Sequence, residues 1–173
     1  TTFCDMYFFE DQVAEIARNF GIRGVIGEGL INFPTPSMKN PIEGLEHMRT
    51  LVDKWQDEPL IDIALSPHAP YSCSEDILLR AKEIALECNV LFHIHLSETK
   101  TEIENSIKKH GKSPVKYLHD LNILDKNTVA AHCVHLSEED MSIIKDCNMG
   151  VSHNPQSNMK ISSGIAPIDK LIK

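Results

Sequence analysis

Nine histidines fall in this chain of 173 residues, and their placement matters more than their number. His68 stands in Ser66-Pro67-His68-Ala69-Pro70-Tyr71, just after an apolar run. His93 and His95 share the phrase Phe92-His93-Ile94-His95-Leu96, and Glu98 follows His95 closely. His132 and His135 lie in Ala130-Ala131-His132-Cys133-Val134-His135-Leu136, and His153 lies in Val151-Ser152-His153-Asn154. Each group closes a short apolar run, so successive strands would deliver imidazoles to one rim. Neutral imidazole is a common ligand for Zn²⁺ or Fe²⁺. A carboxylate beside a metal-activated water is the usual proton carrier in metal-assisted hydrolysis. Glu98 is the candidate for that carboxylate.

Each residue also has a plainer reading. Residues two apart on a strand share a face, so His93 and His95 point the same way. His95, nearer the strand end, would reach the mouth, while His93 would pack one layer deeper. His47, His110 and His119 fall in helical patterns and are expected at the surface. His135 and His153 are read either as site residues or as braces of a loop. Cys133 is read as packing, on the opposite strand face from His132, rather than as a nucleophile.

The elements that must hold these side chains alternate along the whole chain. Apolar runs at residues 2–9, 24–31, 60–65, 90–96, 128–134 and 149–152 read as strands. Amphipathic stretches at residues 11–20, 41–55, 101–109 and 114–121, and others opening after Ser74 and Ser137, read as helices. Val13, Ile16, Ala17 and Phe20 would form the buried face of the first helix. Ser74 and Ser137, each followed by acidic residues, look like N-caps at the positive end of a helix dipole. Residues 165–173 read as the first turns of one more helix. Strand and helix alternate about every 30 residues, which argues for parallel strands joined by helical crossovers. The segment Gly24-Val25-Ile26-Gly27-Glu28-Gly29 opens no helix and is a poor dinucleotide fingerprint. The expected fold class is therefore α/β, of the (β/α)8 TIM-barrel type. An eight-stranded barrel takes about 250 residues, so an incomplete barrel of about six β/α units is expected, with segments missing on both sides.

Composition narrows the function classes. The net charge of -8, with no basic block, argues against nucleic acid or an anionic membrane surface as a partner. No stretch approaches the ~18 apolar residues of a membrane span. The five cysteines include no Cys-x-x-Cys pair, which suits a reduced, cytoplasmic setting. A homo-oligomer is left open.

Taken together, these phrases resemble the amidohydrolase superfamily, in the branch of 5-methylthioadenosine/S-adenosylhomocysteine deaminases and related chlorohydrolases. The resemblance is carried by the His68, His132 and His153 phrases, by His93-Ile94-His95-Leu96-Ser97-Glu98-Thr99, by Gly164-Ile165-Ala166-Pro167 and by the opening Thr1-Thr2-Phe3-Cys4-Asp5-Met6-Tyr7. It implies that His95 is a metal ligand from the fifth barrel strand, Glu98 the proton shuttle and His132 the residue that hydrogen-bonds the metal-bound water. It implies that His68 contacts the substrate, and it leaves His153 and Asn154 a structural or rim role. It also implies one divalent metal ion, zinc or alternatively iron, and a small purine nucleoside as substrate. The family's first-strand His-x-His pair, its eighth-strand Asp and its flanking β-sandwich have no counterpart in residues 1–173. Those residues would then be the central part of the catalytic barrel, binding metal weakly and inactive alone. The implied reaction is hydrolytic deamination of an adenine-containing nucleoside such as 5-methylthioadenosine or S-adenosylhomocysteine. A guanine deaminase or a triazine-type chlorohydrolase would use similar strands, and a catalytically inert fragment or degenerate barrel is the alternative of another class.

Overall fold

In the computed structural model, residues 1–172 are described, and they form two compact units. The elements run β1 (Thr2–Tyr7), α1 (Glu10–Phe20), β2 (Arg23–Leu30), α2 (Pro41–Trp55), β3 (Ile61–Pro67), α3 (Glu75–Glu87), β4 (Leu91–Leu96), α4 (Lys100–His110), α5 (Pro114–Asp120), β5 (Thr128–His132), α6 (Glu138–Asp146), β6 (Gly150–Ser152), α7 (Pro155–Lys160) and α8 (Ile168–Leu171). The expected alternation is therefore present, with strand and helix ends shifted by a residue or two. The helix at Pro155–Lys160 was not anticipated. Only six residues long, it shows no clear amphipathic period, and Asn154-Pro155 reads equally well as a turn.

The first unit comprises Thr1–His68 and Ser72–His93. Its strands are parallel and adjacent in chain order. β1 pairs with β2 from Thr2↔Arg23 to Tyr7↔Glu28, and β2 with β3 from Gly24↔Ile61 to Leu30↔Pro67. The Gly24–Gly29 segment thus lies inside a strand, as expected. α2 packs on β2 and β3, and α3 on β3, with Leu45, Met48, Leu51 and Trp55 of α2, Leu78 and Ala81 of α3, and the strand residues Ile26, Ile63 and Leu65 all buried. That accounts for the long apolar runs: a parallel strand buried on both faces does not alternate with polar residues. Asn40 caps α2 by accepting from the N–H of Ile42 and Glu43, and Ser74 caps α3 by accepting from Ile77. The apolar face expected for α1 is buried only in part. Ala14 and Ala17 are buried, whereas Ile16 is 58% and Phe20 77% exposed. The helix seats its small residues on the sheet, and its larger apolar residues flank the contact.

The second unit comprises Ala69–Tyr71 and Ile94–Lys173, of which the last residue lies outside the described part. Here the order continues β4-β5-β6, with β5 and β6 parallel from Val129↔Gly150 to Ala131↔Ser152. Ile94, Leu96, Val115, Leu118, Ile123, Ala130, Ile143 and Ile144 make its core. Ser137 caps α6, as expected, and goes further by forming a reciprocal capping box with Asp140.

Candidate active site

The second unit brings together three of the four predicted site residues. His95 is the penultimate residue of β4, and the strand ends at Leu96 because Ser97 adopts a left-handed backbone, φ 54°. The chain then turns through Glu98 to Thr99, whose hydroxyl caps α4 by accepting from the Glu102 N–H. β5 ends in a comparable way. His132 and Cys133 have φ of 76° and 48°. Left-handed backbone at a non-glycine residue costs of order 1–3 kcal/mol and persists only where surroundings hold it, commonly at functional sites. Here the Cys133 N–H donates to the Leu96 carbonyl at 3.0 Å, and Val134 and His135 N–H both donate to the Ser97 carbonyl, at 3.0 and 2.9 Å. These bonds lock the end of β5 onto the turn that follows β4.

The outcome is a compact cluster. The His95 and His132 rings lie 5.3 Å apart, centroid to centroid. His132 Nδ1 stands 3.4 Å from Glu98 Oε1, with side chains only 6% and 16% exposed. The same Nδ1 is 2.7 Å from Oδ1 of Asn158 on α7, itself 1% exposed. Because an amide oxygen only accepts, this contact fits an imidazole that donates from Nδ1.

His68 belongs to the first unit, where it follows β3 and its Nδ1 pairs with Ser72 Oγ at 2.8 Å. His93 is 5% exposed and its Nδ1 lies 3.6 Å from Cys4 Sγ, in keeping with a packed residue. His135 braces a loop, donating from Nε2 to the Ser163 carbonyl at 2.7 Å. His153 is exposed beyond β6. His119 is exposed as expected, but His47 is half-buried, and His110 is half-buried and stacks on Tyr117 at 4.0 Å. His110 also lines a cavity of about 420 Å³ with Tyr71, Asn105 and Lys109. Cys133 is fully buried, and burial pushes its thiol up to about 12, so packing is its role. The reason differs from strand alternation, since Cys133 lies past the end of β5.

Sequence reasoning passed over three residues that the structure makes prominent. Asn158 orients His132. Glu102 is 6% exposed and accepts from the N–H groups of Ser97 and Glu98. Glu28, fully buried at the end of β2, accepts from the N–H groups of Phe9 and Glu10 and from Ser37 Oγ. A carboxylate near a helix start just after a strand-end motif is the signal that could have found Glu102.

Among the described residues, no group of three His, Cys, Asp or Glu is placed to hold a metal ion. The donor chemistry nonetheless suits one side of such a site: an imidazole at a strand end, a second imidazole with its tautomer set, and a carboxylate beside them.

Residues 1–173 match the Amidohydrolase family. The chain is 48% identical over 174 residues to a 5-methylthioadenosine/S-adenosylhomocysteine deaminase of Syntrophobacter fumaroxidans, covering 100% of this chain and 40% of that relative. It is 43% identical over 173 residues to a 5'-deoxyadenosine deaminase of Methanothrix thermoacetophila, again covering 100% of this chain and 40% of the relative. The chain thus spans about 40% of the length of the curated relatives it matches. The solved structure of an adenosine deaminase from Xanthomonas campestris with bound zinc superposes with a TM-score of 0.94 at 30% identity, covering 99% of this chain and 39% of that one. The fold is accordingly of the (β/α) TIM-barrel type, present as an incomplete barrel of six β/α units. The chain belongs to the amidohydrolase family.

Proposed function

We propose that this chain is the central part of the catalytic barrel of a metal-dependent deaminase acting on an adenine-containing nucleoside. Candidate substrates are 5-methylthioadenosine, S-adenosylhomocysteine and 5'-deoxyadenosine. The observation that carries the reading is the Glu98–His132 pair at 3.4 Å beside the His95 ring, within a chain of this family. Relatives named as adenine-nucleoside deaminases, at 43–48% identity, support the substrate class. His95 would hold a divalent metal, zinc in first place, together with ligands supplied from outside residues 1–173. A bound ion of this kind supplies Lewis acidity and brings the pKa of water towards about 7.

The chain's own residues do the rest. His132, held by Asn158 through Nδ1, orients the attacking water with Nε2. The water oxygen bonds to C6 of the ring. Glu98 takes a proton from that water and gives it to the ring nitrogen. The remaining proton of the C6 hydroxyl passes to the amino group, the C6–N bond breaks as the C6 carbonyl forms, and ammonia leaves, so the product is the inosine-type nucleoside. His68 would contact the substrate. Among the described residues no two of the five cysteines form a disulfide, which fits a cytoplasmic setting.

An ammonia-release assay on the full-length protein tests this, comparing adenosine, methylthioadenosine, S-adenosylhomocysteine and guanine. Adenine nucleosides are expected to react. Glu98→Gln is expected to keep the metal and lose roughly 10²- to 10⁴-fold in rate. An unchanged rate removes Glu98 from the mechanism. Release from guanine alone moves the protein to the guanine-deaminase reading.

A further inference from the structure

We propose that Glu102 is a positioning residue for the reaction, its carboxylate seating the turn that carries Glu98 against the end of β5. The inference rests on the reading of Glu98 as proton carrier. Glu102 is the third residue of α4, a position from which glutamate ordinarily reaches back to the N-cap N–H. Here it reaches further. Oε1 accepts from the Ser97 N–H at 2.8 Å and Oε2 from the Glu98 N–H at 2.7 Å. Ser97, in its left-handed conformation, turns these successive N–H groups to one side, and such a concavity binds an anion. Glu102 is that anion, supplied from within the chain. Burial raises its pKa, and the N–H donors of Ser97, Glu98 and Thr99 oppose the rise by favouring the charged form.

The turn is gripped from its other side too. Its Ser97 carbonyl accepts from Val134 and His135, two and three residues beyond His132. Glu102 on the N–H side and the end of β5 on the carbonyl side therefore fix the Glu98 backbone between them. The 3.4 Å separation of Glu98 from His132 depends on that grip. A misplacement of about 1 Å in a catalytic group can cost ~100-fold in rate. Because Glu102 is bonded to the turn's N–H groups, its effect is expected in kcat more than in KM.

The test is a double-substitution cycle on the full-length, metal-loaded enzyme, with Glu98→Gln, Glu102→Gln and the pair. Glu102→Gln keeps the shape but loses the charge and turns an N–H donor towards one of the turn's donors. We expect kcat to fall roughly 10- to 100-fold with KM within about twofold. The pair is expected to be no slower than Glu98→Gln alone, because Glu102 acts only through Glu98. Multiplying effects in the pair, or a Glu102→Gln enzyme at full rate, would overturn the proposal. Should Glu102→Gln not fold, Glu102→Asp, which keeps the charge but shortens the reach, carries the same cycle. If Glu98→Gln itself runs at the normal rate, the deaminase reading of Glu98 fails rather than the positioning role alone.

Discussion

At the scale of single residues, the least obvious member of the cluster is Asn158. It lies 26 positions from His132 in the chain, yet its Oδ1 is 2.7 Å from the imidazole Nδ1. Groups that hold the second nitrogen of a working imidazole typically matter by about 10- to 100-fold. Asn158→Ala is expected to lower kcat for ammonia release by that factor. An enzyme within twofold of normal would show that Glu98 alone sets the His132 tautomer. Of the predicted residues, His95, Glu98 and His132 were legible because strand-end position and residue type are written locally. Asn158 was not, because nothing local distinguishes it from the neighbouring Gln156, Ser157 and Met159.

At the scale of elements, the β2–β3 pair shows how closely the scaffold is built. A Cβ added at Gly27 would sit 1.9 Å from Ser66 Oγ and 2.6 Å from the Ala64 carbonyl. One of those is backbone, so the strands would have to part. Gly27→Ala is expected to destabilise the chain by about 1–3 kcal/mol, read as a lower urea midpoint. Adding Ser66→Ala should recover only part of this, since the Ala64 carbonyl remains. A midpoint that does not move would mean that the pair separates freely. Periodicity located most elements, and the Ser74 and Ser137 caps marked two helix starts. The strand ends were harder to read. Hydrophobicity continues through Cys133 and Val134, but β5 stops at His132 because the backbone turns left-handed there. Likewise the face of α1 was only partly located, since a pattern of apolar residues does not reveal that Ala14 and Ala17 are buried while Ile16 and Phe20 are exposed.

At the scale of the whole molecule, acidity has a consequence for stability. Burial first, then the carboxylates of Asp5 and Glu28, push Glu10 from its ordinary 4.5 up to about 8. Between those values the folded chain keeps a proton that the unfolded chain has released. Stability must therefore fall as pH rises from about 4.5 to about 8. Thermal melting of the wild type is expected to decline across that window, and Glu10→Gln to flatten the decline. An equal decline in the variant would assign it to other groups among the 25 acidic residues.

The amino-acid sequence alone determined the alternation of strands and helices, the resemblance to a hydrolase family, and which strand ends carry imidazole and carboxylate. Each depends on residue type, period and short spacing. The tertiary structure alone decided that His132 leans on Asn158, that Glu102 holds the Glu98 turn, and that Ser97, His132 and Cys133 take left-handed backbone. Those outcomes depend on hydrogen bonds between the end of β5 and the turn after β4, more than 30 positions apart in Cys133–Leu96 and Val134–Ser97. No local pattern encodes such pairing. It exists only once adjacent parallel strands lie in register and their ends hold each other in place.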